Sequence, residues 1–171
     1  VDDDRMEDRN VNRILNSTRH DVEARRFKVD VQADAIERTD LGTRVIRLRK
    51  NAWDPDVVRA IAQCDVLFGC VDTVDGRYLL NTLATYYLMP YFDVGVRLDA
   101  VRESEGASRV REACGTIHYL QPGRSSLLTR GLLTLSDVAA AGLRRTDPKA
   151  HASEVRDGYI RGVQERRPAV V

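Results

Sequence analysis

Residues 65–81 read DVLFGCVDTVDGRYLLN and join an apolar run, a turn and the start of a leucine-rich segment. The run at 65–71 is typical of a buried parallel strand, because such strands face apolar layers on both sides. The leucine-rich segment at 79–88 predicts a helix that ends near Pro90, which cannot continue one. The stretch therefore predicts a strand followed closely by a helix, as in a β-α-β unit.

The same alternation continues on both sides of this stretch. Upstream, apolar spacing predicts a helix over residues 27–36, and TRVIRL at 43–48 predicts a short strand. Asp54 and Pro55 together predict a helix start, because Asp can cap and Pro suits the first helical position. Downstream, residues 91–98 predict another strand. The alternation favours an α/β domain with a parallel sheet.

The pattern changes after residue 102. Residues 103–108 predict a loop, and β-like runs at 109–113 and 116–120 predict a hairpin at the sheet edge. Residues 127–143 predict a helix, and the tail from 146 is polar. The expected fold class is α/β, a Rossmann-like and mostly parallel sheet with helices on both faces and a C-terminal antiparallel hairpin.

Composition limits the function classes. The 171 residues carry 27 basic and 26 acidic side chains, which argues against a globally basic nucleic-acid binder. No run approaches the roughly 18 apolar residues of a membrane span. The three cysteines are odd in number and lack C-x-x-C spacing, which favours a reducing, cytoplasmic location.

Asp72 follows the predicted strand directly. Ligands of open α/β sheets bind at the carboxyl ends of strands, where a carboxylate can hold Mg²⁺ beside phosphates. Alternatively, Asp72 caps the next helix. The strand–turn–helix pattern alone does not choose between these two roles.

Other polar residues near the start of the chain are candidates for a nucleotide site. Asp2 and Asp4 lie in an acidic run where a carboxylate could bind ribose hydroxyls, although composition alone favours a solvated loop. Asn10, Arg13 and Lys28 could face phosphates. Taken singly, each of these three is typical of an ordinary surface residue.

Several common site motifs are missing. The sequence holds neither G-x-G-x-x-G nor G-x-x-x-x-G-K-[ST], so neither of these phosphate-binding loops is indicated. It also lacks H-E-x-x-H and G-x-S-x-G.

The ordered motifs together resemble the ThiF/MoeB/HesA family, bacterial relatives of the ubiquitin-activating enzymes. They are D-x-D at 2–4, N-x-N-R at 10–13, a helical lysine at 28, the stretch 65–81, MPYFDVGV at 89–96 and G-x-I-x-x-x-x-P-G at 115–123. The resemblance covers most of the chain to about Gly123, and the stretch 65–81 is its most specific part.

The resemblance implies a reaction. Family members use ATP and Mg²⁺ to adenylate the C-terminal carboxylate of a ubiquitin-like or sulfur-carrier protein. The carboxylate attacks the α-phosphate, and pyrophosphate leaves. Members are commonly dimers, so a homodimer is expected, with neither nucleic acid nor membrane as a partner.

The resemblance also assigns roles to single residues. Asp2 matches the ribose-binding aspartate, Asp4 the second acid of D-x-D, and Asn10 and Arg13 the residues at the ATP phosphates. Lys28 resembles the phosphate-binding lysine. The implied catalytic residues are therefore Arg13, Lys28 and Asp72, with Asp2, Asp4 and Asn10 completing the cofactor-binding set.

Asp72 also matches the Mg²⁺-associated aspartate of the family. Arg77 and Asn81 match the helix that follows it, where a structural role is expected.

Three departures from the family pattern qualify these roles. The glycine-rich loop of the family lies before D-x-D, so the domain is expected to be incomplete at its N-terminus, with Val1 marking a cut. Many members have C-x-x-C after the P-G, whereas residues 126–129 here read SLLT, so no zinc site is expected. Because no cysteine follows Cys114, no thioester is expected.

Residues 1–145 are expected to form the partial nucleotide-binding domain, and residues 146–171 a polar extension or crossover segment. A non-catalytic interaction or dimerisation module is the alternative to a fragment of an activating enzyme. Half of a dinucleotide dehydrogenase fits the fold but supplies no hydride-transfer site.

Overall fold

The computed structural model describes residues 1–102 and 108–157. The chain divides into two compact units, Val1–Ala60 and Ile61–Val171. Expectations that fall on residues 103–107, the loop, and 158–171, the end of the tail, lie outside the described residues.

The first unit is helical. A 3-10 helix, Asp8–Asn10, is followed by α1 (Arg19–Glu23), α2 (Lys28–Glu37) and α3 (Pro55–Ile61), which ends one residue beyond the unit. The helices predicted from residues 27–36 and from Asp54-Pro55 are confirmed as α2 and α3. α1 was not predicted, although a capping box starts it: the Thr18 hydroxyl accepts from the Asp21 amide at 3.3 Å, and the Asp21 carboxylate accepts from the Thr18 amide at 2.8 Å.

The strand predicted at residues 43–48 is wrong, because this segment has neither strand nor helix. Arginine ion pairs attach it to α2 instead. Arg47 lies 2.9 Å from Asp34 and also pairs with Glu37, and Arg49 lies 3.0 Å from Asp30. Alternating charged side chains thus bind the neighbouring helix where a β ladder was expected.

The second unit contains a mixed sheet. Its elements are β1 (Leu67–Gly69), α4 (Val74–Tyr86), β2 (Tyr91–Arg102), β3 (Ser108–Leu120), α5 (Leu135–Thr146) and α6 (Pro148–Arg156). The described strands lie in the order β1-β2-β3. β1 and β2 are parallel, with Leu67 opposite Tyr91, and β2 and β3 are antiparallel, with Tyr91 opposite Leu120. The α/β character is confirmed. The hairpin predicted between residues 109–113 and 116–120 is wrong, because both runs lie in the one strand β3, whose antiparallel partner is β2.

The two faces of this sheet differ. Leu67, Gly69 and Tyr91 are buried, whereas Phe68 is 66% exposed. The expectation that residues 65–71 form a strand buried on both faces is therefore wrong. On the Phe68 side, Phe68, Phe92 and Tyr119 stack across the three strands with ring centroids 5.0 and 4.7 Å apart. The strand formed by this continuous apolar run is thus exposed to solvent on one face.

A close contact explains the glycine in β1. A Cβ at Gly69 would lie 2.5 Å from the Tyr91 hydroxyl oxygen and 2.9 Å from Leu80 Cδ1. Real Cβ atoms do not approach other heavy atoms so closely. The absence of a side chain at Gly69 therefore lets β1 lie against α4 and β2.

The C-terminal helices differ from the prediction in their bounds. The helix predicted over 127–143 begins only at Leu135, after turns, and runs to Thr146. The Thr134 hydroxyl accepts from the Asp137 amide at 3.2 Å, which fixes that start. The described part of the polar tail holds α6, which begins at Pro148 and is capped by Asp147. The capping pattern, rather than the leucine content, marks both helix starts.

Among the described residues, no helix is both long enough and apolar enough to span a membrane. Each of the three cysteines is exposed, and none forms a disulfide.

Candidate functional site

The first unit contains a cavity of about 460 Å³ that brings three predicted site residues together. Asp2, Arg13 and Lys28 line it, with Val1, Ile14, Leu15, Val29 and Gln32. The volume lies in the range of about 300–1,000 Å³ that small-molecule sites occupy. One carboxylate, two cations and aliphatic side chains therefore share one concave surface. This combination suits a ligand with an anionic part and a less polar part.

Lys28 is the first residue of α2, and its ammonium group is held by a carboxylate. Lys28 Nζ lies 2.5 Å from Asp4 Oδ2, and the Lys28 amide donates to the Asp4 carbonyl oxygen at 3.0 Å. The Lys28 side chain is 20% exposed and that of Asp4 is 68% exposed. Among the described residues, Lys28 lines the cavity and Asp4 does not. Asp4 can therefore affect a ligand in the cavity through its ion pair with Lys28.

Pairing between two short segments fixes this contact. Arg5 and Phe27 form an antiparallel bridge, and the Met6 amide donates to the Arg26 carbonyl oxygen at 2.8 Å. The Arg5 guanidinium lies 3.9 Å from the centre of the Phe27 ring and donates to the Arg25 carbonyl oxygen at 2.7 Å. The backbone on both sides of the Asp4–Lys28 pair is thus held in place.

Arg26 anchors the turn that leads into α2. It lies 2.9 Å from Asp21 and 2.5 Å from Asp34. The hydrogen bonds that Arg26 donates to Asp34 and then to Asp21 raise the pKa of Arg26. The Arg26 hydrogen bond is the largest effect on Asp34, whose pKa is lowered. Burial raises the pKa of Asp21, but its bonds to Thr18 and Arg26 outweigh this effect and lower it. The three groups thus stay ionised at neutral pH.

Asn10 and Arg13 have different roles in the structure. Asn10 is buried, and its side-chain oxygen accepts from the Glu7 amide at 2.9 Å. Within the described residues Asn10 does not line the cavity, so it shapes the 3-10 turn instead. The Arg13 side chain donates to the Arg9 carbonyl oxygen and lines the cavity.

Gln32 is a cavity residue that the sequence reasoning missed. Its side-chain amide nitrogen donates to the Leu15 carbonyl oxygen at 2.9 Å, which ties α2 to the segment that holds Leu15, another cavity residue. Gln32 follows Lys28 by four residues on the same helix. The i, i+4 spacing was the signal that could have identified it.

Asp2, Asp3 and Asp4 form a carboxylate cluster. One oxygen from each lies within 4.8 Å of the others. Asp2 accepts from the Asp4 amide at 2.8 Å, and Asp3 accepts from the Asn51 side chain at 3.4 Å. Lys28 and Asn51 therefore already engage two of the three groups.

Asp72 belongs to the second unit and is exposed in the connection between β1 and α4. The alternative role as a helix cap is wrong, because Thr73 caps α4 and its hydroxyl accepts from the Gly76 amide at 3.2 Å. The exposed carboxylate of Asp72 is thus not committed to the helix start.

Arg77 and Asn81 attach α4 to neighbouring segments. Arg77 Nε lies 2.9 Å from Asp93 Oδ1, and its Nη2 pairs with Asp93 Oδ2. The Tyr91 hydroxyl donates to Asp93 Oδ1 at 3.0 Å. The Asn81 side-chain oxygen accepts from the Leu127 amide at 2.8 Å. These contacts agree with the structural role expected for both residues.

Charge effects accompany this network. The hydrogen bonds that Arg77 donates to Asp93 raise the pKa of Arg77. Burial, and then the charge of Asp93, raises the pKa of the Tyr91 hydroxyl. Both groups therefore stay protonated as donors to Asp93. At the start of α4, Asp75 is buried and lies 2.7 Å from Arg145 Nε of α5.

Residues 126–129 do not fit a zinc site. The Ser126 amide donates to the Thr129 hydroxyl at 2.8 Å, and the Thr129 amide donates to the Ser126 hydroxyl at 3.2 Å. The two side chains thus bond to each other's backbone in a closed turn, and a hydroxyl is a poor replacement for a thiolate at zinc.

Comparison with models of protein families matches residues 1–120 to the ThiF family. The matched range includes the cavity residues, Asp72, α4 and the three described strands. No curated protein and no solved structure matches the chain.

Proposed function

The chain belongs to the ThiF family, and from this premise we propose that it is part of an enzyme that activates the C-terminal carboxylate of a ubiquitin-like or sulfur-carrier protein with ATP. The observation that carries the proposal is the cavity in which Asp2, Arg13 and Lys28 meet. These are the residues that the family pattern relates to ribose and phosphates.

The donor set fits a nucleotide. Asp2 supplies an acceptor for ribose hydroxyls. Arg13 offers a fork of donors and Lys28 a point charge, and both suit phosphate oxygens. The aliphatic side chains of Ile14, Leu15 and Val29 provide apolar wall for the less polar part of the ligand. Asp4 pairs with Lys28, and Asn10 shapes the 3-10 turn that precedes Arg13.

In the proposed reaction, the partner's carboxylate oxygen bonds to the α-phosphorus of ATP, the bond from that phosphorus to the bridging oxygen breaks, and pyrophosphate leaves. Arg13 and Lys28 hold and orient the phosphates and stabilise the charge that develops there. The family pattern relates Asp72, in the second unit, to Mg²⁺, an ion that carboxylates hold in nucleotide-dependent enzymes, and we propose this role for it. The proposed fold of the whole domain is Rossmann-like and mostly parallel, with residues 1–145 in the nucleotide-binding part and 146–171 as an extension.

ATP–pyrophosphate exchange tests the reaction. We expect the enzyme of which the chain is a part, with candidate ubiquitin-like or sulfur-carrier proteins and Mg²⁺, to exchange labelled pyrophosphate into ATP. Asp72→Asn should lower the exchange rate at least about tenfold if Mg²⁺ is held there. Asp65→Asn, an exposed change in the same stretch, serves as the matched control. An unchanged rate in Asp72→Asn contradicts the assigned magnesium role.

A dimerisation module is the second candidate, and the open sheet face favours it. Phe68, Tyr119, Val96 and Ile117 are exposed apolar residues on the strands of one sheet. Contiguous apolar surface of this kind marks interaction sites. Analytical ultracentrifugation tests this candidate: a dimer that Phe68→Ser dissociates supports it, and a monomer at high concentration contradicts it. A homodimer in the cytoplasm is also our proposal for the activating enzyme.

A further inference from the structure

We propose that Asp4 is a built-in competitor for phosphate: its carboxylate pairs with Lys28 at the cavity and must be displaced when a polyphosphate binds there. The inference rests on the proposed function, because it assumes that the cavity takes a phosphorylated ligand. It assigns to Asp4 a positioning role that sets the affinity of the cavity for that ligand.

The first observation is the unequal exposure of the pair. Lys28 is 20% exposed and lines the cavity, whereas Asp4 is 68% exposed. A carboxylate so open to water loses little when it leaves, because surface ion pairs contribute little. Lys28 can therefore exchange Asp4 for a more highly charged anion without moving away from the cavity.

The second observation is that Asp4 cannot move far. Its carbonyl oxygen accepts from the Lys28 amide at 3.0 Å, and the Arg5–Phe27 bridge and the Met6–Arg26 hydrogen bond hold the next residues. A displaced Asp4 carboxylate therefore stays near Lys28 and repels the anion that replaced it. Both effects, the lost ion pair and the remaining repulsion, weaken phosphate binding.

Removal of the Asp4 charge should consequently tighten binding. In Asp4→Asn the backbone bond to Lys28 is retained, but the side chain no longer competes as an anion. We expect binding of inorganic tripolyphosphate to tighten about two- to fivefold, in keeping with the small contribution of an exposed ion pair. Asp4→Glu keeps the negative charge, so its affinity for tripolyphosphate should lie within about a factor of two of that of the original chain.

The experiment is calorimetric titration of the full chain with tripolyphosphate and, separately, with ATP and Mg²⁺. Asp3→Asn is the matched control, because it removes the same charge from the same cluster but contacts Asn51 rather than Lys28. The gain in tripolyphosphate affinity from Asp3→Asn should be less than half the gain from Asp4→Asn. Lys28→Gln should weaken binding, and Asp4→Asn added to Lys28→Gln should give no further gain.

The direction of the change separates competition from a merely structural role. Loss of a structural contact would lower both melting temperature and affinity, whereas competition predicts higher affinity even if the melting temperature falls. Equal or weaker tripolyphosphate binding in Asp4→Asn overturns the inference. A gain that persists in Lys28→Gln also overturns it, because the effect would then not act through Lys28.

Failure of the proposed function gives a different pattern. If tripolyphosphate binds and Asp4→Asn tightens it, but ATP does not bind, the inference about Asp4 stands and the ATP-dependent function fails. If ATP binds through Lys28 and Asp4→Asn brings no gain, the function stands and the inference fails. If neither probe binds, both are wrong.

Discussion

The buried pair between Arg77 and Asp93 gives a sharp prediction about stability. The Asp93 side chain is 1% exposed and accepts three hydrogen bonds, two from Arg77 and one from Tyr91. Asp93→Asn keeps the size of the side chain but removes its charge. Arg77, which is 24% exposed, then loses its carboxylate partner.

The magnitude follows from this burial. Removal of one partner of a buried ion pair costs about 3–5 kcal/mol, and partial exposure of Arg77 places Asp93→Asn near the lower figure. For a chain of this size that loss lowers the melting temperature by roughly 6–12 °C. Arg77→Gln should cost more than Asp93→Asn, because it leaves the fully buried Asp93 carboxylate without a cation. The double variant should cost less than the two single losses added together, since both changes break the same contact.

Thermal and urea unfolding followed by circular dichroism measure these losses. Arg59→Gln is the matched control, because Arg59 is 69% exposed and pairs with Asp56 at the surface. It should change stability by less than about 0.5 kcal/mol. If Asp93→Asn and Arg59→Gln give the same small change, the argument that the buried pair ties α4 to β2 is refuted.

Three further predictions concern packing, a buried amide and acid stability. Gly69→Ala should lower the free energy of unfolding in urea by about 1–3 kcal/mol, because the new Cβ would overlap Tyr91. Gly115→Ala is the control, because a Cβ there meets nothing within 4 Å, and equal losses in the two variants would contradict the packing argument. Asn81→Leu should cost about 1–3 kcal/mol and speed hydrogen exchange of the Leu127 amide, which loses its acceptor; unchanged exchange would contradict this. Because the pKa of Asp34 is lower in the folded chain than in the unfolded chain, its ion pairs stabilise the fold above about pH 3.9, and this stabilisation is lost as the pH falls through the pKa of the folded chain. Between pH 6 and pH 2 the urea midpoint should therefore fall less steeply in Asp34→Asn than in the original chain, and parallel curves would contradict this prediction.

Local signals in the sequence predicted much of the fold. Pro55 marked the start of α3, and Pro90 follows the end of α4 as expected. The β character of residues 109–113 and 116–120 was predicted correctly, although the two runs form one strand, β3, and not a hairpin with each other. Such features depend on residues close together in the chain, so they can be predicted from one sequence without knowledge of distant contacts.

Features that depend on distant partners could not be predicted in this way. Residues 43–48 have the composition of a strand, but Arg47 pairs with carboxylates on α2 instead. Phe68 is apolar and was expected to be buried, yet it lies on an open face. Periodicity shows which residues are alike, but not what covers them.

In the candidate site, too, the sequence identified some residues, whereas the contacts of others required the structure. The order of motifs identified Asp2, Arg13 and Lys28, which line one cavity. The role of Asn10 inside the 3-10 turn and the pairing of Asp4 with Lys28 required the backbone geometry. Gln32 was missed because its signal, a spacing of four residues from Lys28, is common on every helix.

Titration of the 171-residue chain with ATP tests whether the cavity lined by Asp2, Arg13 and Lys28 holds the nucleotide. We predict that calorimetric titration with ATP and Mg²⁺ shows one saturable site, and that Lys28→Gln weakens it at least about tenfold, or roughly 1.4 kcal/mol. Arg9→Gln, which removes an exposed cation that pairs with Glu7, should leave the affinity unchanged. Absence of binding, or equal affinity in Lys28→Gln and the original chain, would contradict the claim that this cavity holds the nucleotide.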